Sequence, residues 1–211
     1  MHQQAGHKSV TEFIKPLGLE GSFIVHRLDT ETSGLLLIAK HKRAAAEFGT
    51  LFEQRKIAKL YLALSDQKPK KKQGHILGDM QPSRSGNYKL VPTKSNPAYT
   101  QFFSQSLAYE QKPLRLFLLK PHTGKTHQLR VAMKSIGSPI LGDTRYGKTQ
   151  SDRMYLHAYE LVFEWYGEMI RIKALPDTGQ YCQSNAYKDA VESLTQRAIS
   201  EWPAPIWQYR V

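Results

Sequence analysis

Cysteine is almost missing from this chain of 211 residues: Cys182 stands alone, which excludes an internal disulfide and any zinc site built on cysteines. Long apolar runs are missing as well, since no stretch approaches the roughly 18 consecutive apolar residues of a membrane helix. The start from Met1 to Lys8 is polar and shows no apolar export signal, so a cytoplasmic location is expected. Acidic residues are few. The 18 Asp and Glu against 30 Lys and Arg leave a net charge of +12, an excess that attracts polyanions, RNA and DNA being the commonest. No internal repeat recurs at a fixed period, and no heptad pattern supports a coiled-coil dimer, so a monomer is expected.

What is present is an ordinary globular composition, 40% hydrophobic and 23% charged. At about 150 residues per domain the length predicts a single domain over 1–211. The apolar runs 23–25 and 34–40 flank a polar segment, His26 to Ser33, and predict strand, exposed loop, strand. Apolar spacings of three and four predict a helix over 43–54, and Ile57 to Leu64 reads as a buried strand. From Ser65 to Pro97 the pattern dissolves into Lys, Pro, Gly and Ser, which predicts a long basic loop or excursion. Ala98 to Leu107 and Leu114 to Leu119 predict two strands turning near Glu110 and Lys112. Thr126 to Ile136 predicts a helix stopped by Gly137, and 155–163 with 168–175 a hairpin turning near Gly167. A last helix, about Ala186 to Ser200, leads into an aromatic tail with Trp202, Trp207 and Tyr209 that closes the segment 185–211. Strands outnumber helices and short turns join neighbours, so the fold class is α+β: a mixed, largely antiparallel sheet with packed helices.

Three catalytic signals fail. Gly124-Lys125-Thr126 ends like a phosphate-binding loop, but Leu119 occupies the place of its first glycine. Thr32-Ser33-Gly34 lacks the glycine of a nucleophile elbow, having Glu31 there. His122 and His127 lie five apart around a turn, which does not place them on one helical face as metal ligands. The segment His26-Arg27-Leu28-Asp29-Thr30-Glu31-Thr32-Ser33-Gly34 survives. It sets an imidazole, a guanidinium, a carboxylate and hydroxyls between apolar strands, on a loop that a rigid scaffold would hold.

That segment, continued by Leu35-Leu36-Leu37, resembles the signature of RNA pseudouridine synthases of the RluA type. Lys59-Leu60-Tyr61-Leu62-Ala63 is similar to their second motif. The third appears as Thr123 to Arg130, followed by Gly137 to Asp143 and Tyr146-Gly147, and a fourth likeness is Leu156-His157-Ala158. The ordered set spans 26–158. Only 25 residues precede His26, and the Lys-Pro-containing segment that relatives carry tens of residues upstream is expected to be missing, with an edge strand.

The resemblance implies a pseudouridine synthase-like catalytic domain that isomerises uridine in an RNA stem-loop, ribosomal or transfer, with no cofactor and no metal. It implies Asp29 as the catalytic carboxylate, Arg130 as the cation that pairs with it, and Arg27 as the group that fills the gap left by a flipped base. Tyr61 would hold the uracil and relay a proton. Thr126, His127 and Gln128 are weaker candidates for substrate hydrogen bonds, and His26 would orient the loop. Lys68 to Lys94, with Arg84 and the interleaved Tyr88, suits phosphates and unpaired bases. Two other readings stay open at this stage: an RNA-binding or chaperone-like module with little turnover, and, more remotely, a hydrolase using Ser33 with His26 or His127.

Overall fold

The computed structural model describes residues 10–110, 112–202 and 204–206, so Trp207 and Tyr209 of the expected tail lie outside the described residues. The chain divides into two compact units, one of residues 1–27 and 36–56, the other of 28–35 and 57–211.

The first unit holds a short helix α1 (Val10–Ile14), a 3-10 turn at Lys15–Leu17, strand β1 (Phe23–Ile24), strand β3 (Ile38–Ala39) and helix α2 (Lys42–Glu53). β1 and β3 pair antiparallel, Phe23 opposite Ala39. His41 caps α2: its side chain accepts from Ala44 N–H, satisfying one of the donors that a helix start leaves open.

The second unit is built on one eight-stranded sheet. Its members are β2 (Ser33–Gly34), β4 (Ala58–Ser65), β5 (Gln73–Pro82), β6 (Tyr88–Val91), β7 (Pro97–Tyr109), β8 (Lys112–Pro121), β9 (Leu156–Trp165) and β10 (Glu168–Lys173). The order is β10-β9-β4-β8-β7-β5-β6, antiparallel throughout, with β2 added in parallel to β9. Helices α3 (Gln128–Ser135) and α4 (Asn185–Glu201) complete it. The central strands are apolar on both faces. Leu62, Leu64, Leu116 and Leu118 pack with Leu194 and Val191 of α4, while Ala63, Phe117 and Leu119 pack with Leu129, Ala132 and Met133 of α3. A sheet covered on both sides needs strands without polar alternation, which is why Leu116 to Leu119 reads as an unbroken apolar run.

Two expectations are corrected here. The strand expected over 34–40 is two separate pieces: Gly34 pairs with β9 and Ile38–Ala39 with β1. Continuous apolar character measures burial and does not report where one ladder stops and another begins. The excursion expected over 65–97 is largely ordered, since β5 pairs with β7 over Gln73 to Asp79 and β6 with β5. Gly78 is one reason the pattern hid this. A Cβ there would stand 2.3 Å from the Val91 carbonyl oxygen, so the residue that reads as a breaker is what lets β6 approach.

Candidate active site

The loop from Leu28 to Leu35 belongs to the second unit although both its flanks belong to the first. Thr32 N–H donates to the Asp29 carbonyl at 2.9 Å, closing a turn directly after the carboxylate. The chain then joins β9: Ser33 lies opposite His157, Gly34 opposite Ala158, and Leu35 N–H donates to the Ala158 carbonyl at 2.9 Å. Only glycine fits at 34. Its φ is +110°, and a Cβ would lie 2.3 Å from the Ala158 carbonyl oxygen.

Tyr61 enters from β4, where the pairing with β9 shifts register between Leu60 and Tyr61. Such a bulge re-aims the side chains that follow it. Burial, and after it the negative charge of Asp29, push the Tyr61 phenol up to about 12, so it is protonated at neutral pH.

Arg130 sits in the first turns of α3, 4% exposed. Its Nε donates to Asp143 Oδ2 at 2.8 Å and a terminal nitrogen to Asp143 Oδ1 at 2.7 Å; the same nitrogen reaches Glu31 Oε2 at 3.3 Å. Among the described residues the hydrogen-bond partners of Arg130 are thus Asp143 and Glu31. Asp29 acts on it by charge at longer range. Burial works against the Arg130 cation, but the bonds and charge of Asp143, then Glu31 and Asp29, hold it above the ordinary arginine value. Asp143 is likewise pulled below its ordinary value against its burial, by Arg130 and by the backbone N–H groups of Tyr146 and Arg145. A fully buried carboxylate needs such a complete set of donors, which is why it claims the guanidinium fork.

His127 precedes α3 with φ +56°. The Tyr146 hydroxyl accepts from Tyr88 N–H at 3.0 Å and shares a second hydrogen bond with His127 Nδ1, 2.9 Å away. Burial lowers the His127 pKa, with Asp29 pulling the other way, which leaves a neutral imidazole. Thr126 is exposed beside it. Gln128 points inward: its Nε2 donates to the Tyr99 carbonyl and Thr100 Oγ1, and its Oε1 accepts from Thr123 and Lys125 N–H, at 2.6 to 3.1 Å. With both amide protons used, Gln128 builds the turn that carries Thr126 and His127 instead of contacting substrate.

His26 and Arg27 belong to the first unit. His26 Nε2 accepts from Leu37 N–H at 2.8 Å and its ring lies 4.7 Å from that of Phe52, both within the first unit. Ser33 bonds neither His26 nor His127: its hydroxyl meets His157 Nδ1 at 2.7 Å and Arg153. Sequence reasoning passed over the roles of Asp143, Tyr146, Arg153 and His157, although Asp143, Tyr146 and His157 all stand in the quoted motifs. Among the described residues no three of His, Cys, Asp and Glu are grouped as metal ligands would be, and no helix is long and apolar enough to cross a membrane.

The family model described as RNA pseudouridylate synthase matches residues 2–135. A Haemophilus influenzae protein named an uncharacterised RNA pseudouridine synthase is 53% identical over 86% of this chain and 81% of its own length. The ribosomal large subunit pseudouridine synthase C of Rickettsia bellii is 34% identical over 81% of this chain, which spans 61% of that protein. Among solved structures, the human RNA pseudouridylate synthase domain-containing protein 1 superposes with a TM-score of 0.71 at 26% identity, covering 89% of this chain and 85% of its own.

Proposed function

The chain belongs to the RNA pseudouridylate synthase family and is an RNA pseudouridine synthase, an isomerase; from that premise we propose that Asp29 is its catalytic carboxylate and that its substrate is a uridine turned out of structured RNA. The observation that supports this reading is the reach of one charge. Asp29 perturbs the ionisation of Tyr61, His127 and Arg130, which come from β4, the turn before α3, and α3 itself. A carboxylate felt by three separate elements stands where they converge.

The reaction breaks the bond from C1′ to N1 of uracil, turns the freed base, and forms a bond from C1′ to C5. The C5 proton is lost to solvent, N1 gains one, and no electrons are exchanged with a cofactor. Asp29 serves either by adding to the ribose or by starting base departure, and both need the ionised form. Arg130, held by Asp143 and Glu31, is the buried cation that interacts with the charge of Asp29. Tyr61, protonated to about 12, passes a proton from C5 only by giving up its own, so it relays. His127 is the hydrogen-bonding group for a uracil or ribose oxygen.

Turning the nucleotide outward costs a few kcal/mol. Arg27, two residues before Asp29, carries a planar cation suited to the vacated place. For the carrier we favour ribosomal RNA over transfer RNA, in line with the name of the Rickettsia relative. The test is tritium release from RNA labelled at uridine C5. Asp29→Asn is expected to abolish it; substantial release would remove Asp29 from the chemistry.

A further inference from the structure

Ser33 lies four residues after Asp29 and is tied down by groups that the reaction does not use. His157 Nε2 stands 2.8 Å from the Ala174 carbonyl, which can only accept, so that nitrogen carries the ring proton and Nδ1 is bare. The Ser33 hydroxyl, 2.7 Å from Nδ1, must therefore donate to it. The serine oxygen in turn accepts from Arg153. Arg153 is itself fixed: Nε donates to the Met154 carbonyl at 3.2 Å, and NH1 to the Thr178 hydroxyl and carbonyl at 2.7 and 3.3 Å.

These bonds act at the point where the loop enters the sheet. β10 pairs with β9 from Glu160 to Trp165, and the two-residue strand β2 continues along β9 at His157 and Ala158. A parallel pairing this short has little strength of its own, and nothing in two residues prevents a slip. Ser33 and His157 face one another in that register, so their side-chain bond fixes which residues pair.

We propose that His157 and Arg153 are positioning residues for the isomerisation, locking Ser33 onto β9 and thereby fixing where the Asp29 carboxylate stands. The proposal rests on Asp29 being the catalytic carboxylate. The lock requires neutral His157, because a protonated ring has no lone pair for the serine. Burial favours that neutral form, with Arg153 adding to it while the Ala174 carbonyl and the Asp177 charge oppose it. Displacing a catalytic group by about 1 Å costs on the order of 100-fold in rate, so the lock is read in kcat and leaves RNA affinity alone.

The experiment measures kcat and KM for wild type, Ser33→Ala, Ser33→Thr, His157→Phe and Asp29→Asn on the same RNA, with thermal unfolding of each. Ser33→Ala is expected to lower kcat by about 10 to 100-fold with KM nearly unchanged, and Ser33→Thr, which keeps the hydroxyl, to restore it. His157→Phe should match Ser33→Ala, and wild type should lose at low pH a component of rate that Ser33→Ala lacks. Wild-type kcat in Ser33→Ala, a loss confined to KM, or a loss that threonine fails to restore overturns the proposal. An active Asp29→Asn enzyme instead overturns the reading beneath it.

Discussion

Arg130 and Asp143 meet at two points, Nε on Oδ2 at 2.8 Å and a terminal nitrogen on Oδ1 at 2.7 Å, with the carboxylate fully buried and the guanidinium 4% exposed. Such a pair holds the arginine's plane as well as its charge. The cation that interacts with the charge of Asp29 is thus positioned by a second acid, and Asp29 need not provide the arginine's structural partner.

Asp143→Asn should consequently damage both stability and rate. Removing one partner of a buried pair costs about 3 to 5 kcal/mol, to be read from urea unfolding at pH 7. Because the folded Asp143 pKa lies below its ordinary 3.8, wild type has this stabilisation in full above that value and loses it as pH falls through the depressed one. The gap between variant and wild type should close in acid. A gap that stays constant from pH 7 to about pH 2 would separate the stability effect from the Asp143 charge.

Tyr61→Phe removes only the hydroxyl. A relay predicts a kcat lower by about 100-fold or more with RNA affinity unchanged. Phenols at their ordinary value of about 10 would give an alkaline limb in the rate profile; Tyr61, held at about 12, should give none in that range. A wild-type limb near pH 10 that Tyr61→Phe abolishes would show the phenol to be less buried than it is here.

His122 is a stability sensor on the far side of the same turn. It stacks on Tyr99 with ring centroids 4.6 Å apart and its Nε2 is 2.6 Å from Gln101 Oε1. Burial first, then the charges of Lys120 and His75, push its pKa down to about 4. A folded value below the unfolded 6.5 means stability is present above 6.5 and falls as pH drops toward 4, by about 1 to 2 kcal/mol once solvent screening of a half-exposed ring is discounted. His122→Gln keeps a donor for Gln101 and cannot titrate, so its stability curve should be flatter over that window. Equal slopes for the two proteins would show that His122 is accessible to protons when folded.

The sequence made the ordered elements of the second unit legible because their patterns were set by burial: Leu114 to Leu119 between two layers, Leu129 and Met133 on the inner face of α3. β5 and the edge strand β6 were illegible because they are held by backbone bonds that composition does not record, with Gly74 and Gly78 reading as breaks. At the site, the resemblance to the family's motifs marked Asp29, Tyr61 and Arg130. It could not assign partners: Asp143 lies 13 residues beyond Arg130, and His157 lies 124 beyond Ser33, pairings that only the folded sheet creates.

Lys70, Lys71 and Lys72 remain on an exposed loop between β4 and β5, anchored where the Lys72 carbonyl accepts from Ser104 N–H at 2.7 Å and its hydroxyl at 2.8 Å. A fixed root with three free ammonium groups is arranged to meet a phosphate backbone, each contact contributing roughly 0.7 to 0.9 to the salt slope of binding. Replacing all three by glutamine should weaken RNA binding at low salt and flatten the slope by about 2, while leaving kcat at saturating RNA unchanged. The root bond uses only backbone of Lys72, so the fold should survive the triple change. An identical slope would mean that the RNA approaches from another face, and that the net charge of +12 steers it through residues elsewhere.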